Sequence, residues 1–419
     1  MSTVQKRDSK GTERSVGFIT PVRAYIHGGR VYTHVASGRI ANGLAQHYDK
    51  VYLCARVSHT PPESSTDLPL EASNIEVIEQ PFWATSLAAL KYPIGITKAY
   101  LSTCRRSSDL FIRGMCPYVA FVYLLALFFR LRTCHWIVGD PIAVLRAGER
   151  RGGVIDALSL VYAWHDRIAT RLGRWLTQGS FICNGDALAH AYRSPHTFST
   201  VSSTMRADEF YYREDTCSRA RVRILFVGYI RPEKGLEYLL KAFALLKARD
   251  RCELQLVGPD QFPEYRKQLD DVAAGCGITD LISWEGYVSY GQPIFERMRS
   301  ADIFVLPTLS EGTPHVLVEA RANGLPCIST TVGGVPSTVT NEVDALLVPP
   351  RDPTALAEAI DRIISDGQLR RQLIRNGLIG ARTQTIEQFM QLVVAQLDRE
   401  GNGGASPVRP EGSMACDDC

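Results

Sequence analysis

A strand–loop–helix–strand rhythm runs twice through this chain, with an interruption between the runs. "VGFIT" (16–20) is a short β-rich run that leads into the glycine-containing turn "IHGGRVY". "VASGRIANGLAQH" follows with helical spacing, and "VYLCAR" (51–56) reads as the next strand. "CHWIVGDP" (134–141) and "SFICNG" (180–185) continue the series. Residues 195–221 are polar and irregular and read as a boundary. The rhythm then restarts at "RILFVG" (223–228), followed by a helix with Leu236, Leu239, Leu240, Phe243 and Leu246 on one face. "ELQLVG" (253–258), "ISWEG" (282–286), "IFVLP" (303–307) and "PCIST" (326–330) are further strands. Strands alternating with helices predict parallel sheets. The expected fold class is α/β, with two doubly wound domains, 16–205 and 206–385, and a cleft between them. Ile386, Phe389, Met390, Val393 and Leu397 mark an amphipathic helix over 386–400. Residues 1–15 and 401–419 lack the material for a core and are expected to be disordered.

The length of 419 residues agrees, being too great for one ordinary core. A hydrophobic share of 45% with 22% charged residues is that of a soluble globular protein. Residues 1–200 carry 23 Lys+Arg against 14 Asp+Glu, whereas the remainder carries 24 against 30. A basic half facing an acidic half suggests domains with different partners. The 11 cysteines are scattered, and dispersed thiols suit a reducing cytosol. The N-terminus is polar, without the apolar core of a signal peptide. The run "MCPYVAFVYLLALFF" (115–129) has 15 uncharged residues, short of the roughly 20 a spanning helix needs. Its surroundings are basic, with Arg105, Arg106, Arg113, Arg130 and Arg132 nearby. It reads either as a core helix of the first domain or as a segment lying on an anionic membrane surface.

In open parallel sheets, ligands bind at the carboxyl ends of strands. Three loops of the second run lie there. "GYIRPEKG" (228–235) sets Gly228 at a strand end and Lys234 at the first turn of the next helix, where amides and dipole favour anions. Lys234 reads equally as a phosphate-binding or a solvated lysine. "LSEGTPHVLVEARANGLP" (309–326) places Glu311 on a loop, Thr313 as cap, Pro314 at the first helical position and Glu319 inside the helix. Amides near Val316 are placed to hold a phosphate. A carboxylate beside such a site suits sugar or ribose hydroxyls. The alternative is a capping acid and an exposed helix acid. In "TTVGGVP" (330–336) two glycines let the backbone approach a ligand closely.

Together these loops resemble the retaining glycosyltransferases of family four, which have the two-Rossmann GT-B fold. The resemblance covers about 16–400 and is strongest over 223–350, where "ILFVGYIRPEKGLEYLLKAF", "ADIFVLPTLSEGTPHVLVEARANGLPCISTTVGGVPSTV" and "NEVDALLVPPRDPTALAEAI" keep the family order. Glu311 and Glu319 match its E-x7-E motif. The resemblance implies a nucleotide-diphosphate sugar, UDP- or GDP-linked, as donor substrate, and no cofactor or metal. Glu319 would take the ribose hydroxyls and Glu311 the donor sugar. Lys234, with the amides of Val316 and Leu317 beside Gly312 and Thr313, would stabilise the leaving diphosphate. Gly286, Tyr287 and Val288 would face the base, and Gly28 and Gly29 match a Gly-rich loop near the diphosphate. Two positions depart from the family. Tyr229 stands where an arginine is usual, with Arg231 two residues on. Asp140 stands in about the place of a first-domain histidine, while His135 reads as core. The implied reaction moves a sugar to an acceptor hydroxyl with retention, in polysaccharide or glycolipid synthesis. It is placed in the cytoplasm or at the inner membrane face, with a glycan or lipid-linked acceptor and no nucleic-acid partner. An epimerase or phosphorylase of the same shape, and a non-catalytic nucleotide-sugar binder, are the alternatives.

Overall fold

A computed structural model describes residues 13–399 except 63–66, 86, 143–144, 146–152 and 261. The first sheet contains β1 (Ser15–His27), β2 (Arg30–His34), β3 (Lys50–Ser58), β4 (Asp67–Pro69), β5 (Ile75–Gln80), β6 (Asp109–Arg113), β7 (Arg132–Ile137), β8 (Ser180–Asn184) and β9 (Thr197–Thr200). Its parallel body runs β5-β3-β1-β6-β7-β8-β9, and β2 and β4 form an antiparallel flap on the long second half of β1. The second sheet is entirely parallel, in the order β12-β11-β10-β13-β14-β15. Its strands are β10 (Val222–Val227), β11 (Cys252–Val257), β12 (Ile282–Gly286), β13 (Ile303–Leu306), β14 (Cys327–Thr330) and β15 (Leu346–Val348). Central strands such as β13 are buried on both faces, which is why they read as continuous apolar runs.

The helix Ile386–Leu397 leaves the second domain and enters the core of the first. The Phe389 ring packs tilted against Trp136, with ring centroids 4.8 Å apart, and Met390 and Val393 join the same cluster. The polar stretch 195–221 begins with β9, and its remainder bridges the two sheets. Within it the half-buried Arg213 guanidinium donates to the carbonyls of Gly324 (2.9 Å), Ala301 (2.9 Å) and Met298 (3.1 Å). Burial lowers the pKa of Arg213 to about 10.

The apolar run 115–129 forms the helix Val119–Phe128. Val122, Tyr123 and Ala126 are in the core, while Leu124, Leu127 and Phe128 are exposed. It packs against the helices Pro93–Arg106 and Gly153–Thr177. No helix among the described residues is long and apolar enough to cross a membrane.

Candidate active site

Three loops meet at the carboxyl end of the second sheet. The loop after β10 carries Lys234 in a short 3-10 turn, Pro232–Lys234, ahead of the helix Leu236–Ala244 rather than in its first turn. Gly235, with φ 65°, separates the two pieces. Backbone and hydroxyl contacts lash this loop to the one after β13: Leu309 N–H donates to the Glu233 carbonyl (2.8 Å), and so does the Thr308 hydroxyl (3.0 Å). The buried Lys234 ammonium thereby reaches Glu311, and the two form an ion pair with both side chains largely covered.

Gly333 and Gly334 close against the same loop. Gly333 has φ 53°, and a Cβ there would overlap the Glu311 carbonyl; one on Gly334 would overlap the Gly312 carbonyl. Gly334 N–H donates to Glu311 O at 3.3 Å. These glycines are therefore required for loop-on-loop packing that fixes the Glu311 backbone, a different reason from ligand approach.

The helix His315–Ala322 starts one residue later than expected. Pro314 takes the N-cap position, no side chain caps the end, and Thr313 is half-buried on the preceding loop. The first-turn amides are thus left without a side-chain acceptor, with Leu317 N–H bonded back to Pro314 O at 3.0 Å. Glu319 is buried, at 7% exposure. It accepts from the Thr204 hydroxyl at 3.4 Å, and Thr204 lies 2.7 Å from the Tyr290 hydroxyl. Burial raises its pKa to about 7, against the pull of Thr204 and Arg39. Arg39 comes from the first domain and holds Glu209 through two bonds of 2.6 and 2.7 Å.

Gly286 ends β12 with φ 63°, Tyr287 is exposed beside it, and Val288 packs on the second core. Tyr229, 45% exposed, turns toward the first domain and lines its cavity. The Arg231 guanidinium sits 5.6 Å from the Tyr229 ring centre and 3.8 Å from Glu233.

The first domain differs from expectation at two places. Gly28 and Gly29 are the tip of the β1–β2 hairpin, both at positive φ (57° and 73°), and a Cβ on either would meet nothing within 4 Å. The two-residue hairpin turn is by itself a sufficient reason for both glycines. Asp140 is not a free carboxylate: its Oδ2 lies 2.8 Å from Arg167 Nη2, as an ion pair out of line for a hydrogen bond, and its Oδ1 accepts from Ile142 N–H at 3.0 Å. His135 is core, between Tyr123 OH (2.9 Å) and Gly114 O (2.8 Å), and burial lowers its pKa to about 4.

The sequence offers Arg113 only as a basic neighbour of the apolar run 115–129; the structure turns it inward instead. Arg113 ends β6, donates to the Ser37 hydroxyl and lies 5.0 Å from the Trp136 ring centre. Burial lowers its pKa to about 10. It faces His34 and His315, whose pKa values burial and then Arg113 push down, His315 to about 4. The available signal was an arginine closing the buried strand "DLFIR" (109–113). Arg113 and His34 line a cavity of about 910 Å³ together with Asp140, Asp166, Thr170 and Tyr229.

Two parallel-sheet domains with a strand-end site in the second define the class: a two-domain GT-B protein. Residues 218–378 match the family described as glycosyl transferases group 1, so the second domain is a domain of that family. Over 264 residues the chain is 33% identical to the D-inositol 3-phosphate glycosyltransferase of Geodermatophilus obscurus, covering 59% of this chain and 56% of that one. The chain spans between 32% and 56% of the length of the curated relatives it matches. Among solved structures, sucrose-phosphate synthase from Thermosynechococcus elongatus superposes with a TM-score of 0.67 at 18% identity, covering 92% of this chain and 98% of that chain. Anabaena HepE in complex with UDP superposes with a TM-score of 0.64 at 15% identity, covering 92% and 99%.

Proposed function

We propose that this protein moves a sugar from a nucleotide-diphosphate sugar to an acceptor hydroxyl, with retention and without a metal. The observation that carries it is the Lys234–Glu311 pair beside an uncapped helix N-terminus, a cation and free amides where a diphosphate leaves. The sugar–phosphate C–O bond breaks, the acceptor oxygen bonds to the anomeric carbon, and the acceptor proton departs with the nucleoside diphosphate. Glu311 holds the sugar, and Glu319 takes ribose hydroxyls once Thr204 gives way. The UDP bound to a protein of the same fold makes UDP-hexoses the first donors to assay, with GDP-hexoses second. Nucleoside diphosphate release and the anomeric configuration of the product by NMR test the reading. An inverted product overturns retention, loss of turnover in EDTA overturns metal independence, and full activity of Glu311→Ala overturns the site.

We place the acceptor at an anionic bilayer, as a glycolipid or lipid-linked glycan used in cell-surface synthesis on the cytoplasmic face. The helix Gly153–Thr177 exposes Leu158, Val161, Trp164, Ile168, Leu172 and Trp175 along one side. Beside this stripe stand exposed Leu124 and Phe128; Arg171, Lys98 and Arg105 are also exposed on the packed helices, and Arg130 on the turn that follows Phe128. Apolar area edged by cations fits a headgroup layer. Co-sedimentation with phosphatidylglycerol vesicles, lost in Ile168→Glu/Leu172→Glu, supports this. Equal binding by the variant overturns it, as does self-association through the stripe in place of vesicle binding.

A further inference from the structure

The inner side of the helix Gly153–Thr177 carries polar groups that the fold does not satisfy. Asp166 and Thr170 lie one turn apart, so both project from one face. Asp166 is 7% exposed and Thr170 only 1% exposed. The Thr170 hydroxyl has no hydrogen-bond partner, and among the described residues Asp166 makes no hydrogen bond or ion pair. Both line the first-domain cavity, whose far wall includes Tyr229 of the second domain. The neighbouring Arg167 is turned to Asp140 and offers Asp166 no charge.

We infer that Asp166 and Thr170 form the acceptor's hydroxyl-binding subsite, taking a polyol or sugar. This rests on the transferase reading. A buried hydroxyl and carboxylate without partners destabilise the fold, and a ligand O–H reaching both would end that cost. The acid donates nothing when ionised and accepts strongly from O–H groups, so a sugar hydroxyl suits it and a phosphate does not. Burial alone raises the Asp166 pKa to about 7, in keeping with a carboxyl that finds no compensating partner in the chain.

The test follows melting temperature with UDP, and with myo-inositol, glucose and octyl glucoside as polyol probes, in wild type, Asp166→Asn and Thr170→Val. At least one polyol is expected to raise the wild-type melting temperature, and both variants should lose that rise. Asp166→Asn should itself melt higher than wild type, since it removes an unpartnered buried acid; a purely structural acid would instead lower it. Unchanged polyol shifts in both variants, or no shift by any polyol in wild type, overturns the subsite. UDP is expected to stabilise all three proteins equally. A polyol shift that depends on Asp166 without any UDP response would sustain the subsite and sink the transferase reading.

Discussion

At the carboxyl end of the six-stranded sheet, Lys234 and Glu311 neutralise one another, and the loops that carry them are tied by backbone hydrogen bonds. Across the cleft, Arg113 donates to the Ser37 hydroxyl and lies by the Trp136 ring and two neutral-leaning histidines, with no carboxylate paired to it among the described residues, and there Asp166 and Thr170 have no hydrogen-bonding partner. One wall is complete in the free protein, and the other leaves groups open. A site whose charges are already paired must exchange that pair for substrate. An open wall gains its first partners on binding. The difference fits the donor and acceptor sides proposed above.

The sharpest test of the prebuilt wall is Arg321, on the helix that carries Glu319. Its side chain is fully buried and bonds Asp344 and Gln384, each at 2.5 Å. Arg321→Ala strands the Asp344 charge and should cost about 3–5 kcal/mol in urea unfolding. Arg321→Met with Asp344→Leu should recover most of it. A negligible loss in Arg321→Ala would show that the donor wall is not held this way.

Next in size is Lys234→Ala. If Lys234 meets the leaving group as proposed, removing its charge should lower kcat about 10²–10³-fold, or about 2.7–4 kcal/mol of transition-state stabilisation. The same change should leave the melting response to polyols intact, since the two walls are separate. An unchanged kcat breaks the assignment.

Glu319 gives a pH signature. Its pKa in the fold, about 7, lies above the ordinary 4.5. A raised carboxyl pKa means the fold favours the protonated form. The associated stability is full below about 4.5 and is lost as pH rises through about 7. Glu319→Gln lacks this titration. The variant should gain on wild type by roughly 1–3 kcal/mol between those limits and no further above them. A parallel pair of stability curves would contradict the burial of a titrating Glu319. The variant should also bind UDP more weakly, because a charged acceptor for ribose hydroxyls is gone.

The fold and the donor wall were largely legible because their signals are local. Apolar runs marked β10, β11, β13 and β14, and Lys234, Glu311 and Glu319 stand at strand ends or in the helix that follows. What failed was anything decided by which surfaces meet. Gly28-Gly29 reads as a Gly-rich loop, and two glycines serve a hairpin turn equally well; the hairpin itself shows only once β2 is seen paired to the second half of β1. The Gly333-Gly334 pair was seen, but its partner is the Glu311–Gly312 backbone. Asp140 was chosen by position along the chain, while its ion pair with Arg167 comes from a helix more than twenty residues later. Asp166 and Thr170 are an i, i+4 pair on one helix, but nothing in the sequence sets that face opposite Arg113; the cavity brings the three together.

Tyr229 is where the two walls touch, and it carries the smallest effect. It stands where the resembled family has arginine, but its ring faces the first-domain cavity and rests against Arg231. A cation–ring contact at an exposed site contributes about 0.5–1 kcal/mol. Tyr229→Phe should therefore be silent, and Tyr229→Ala should raise the donor or acceptor KM by about two- to fivefold at that energy. Tyr229→Arg sharpens the comparison. If Tyr229 belongs to the acceptor wall, an added cation beside Arg231 removes the ring and repels its neighbour, and acceptor kcat/KM falls while donor KM holds. If instead the arginine improves donor KM, position 229 belongs to the donor wall and the boundary between the two must be redrawn there.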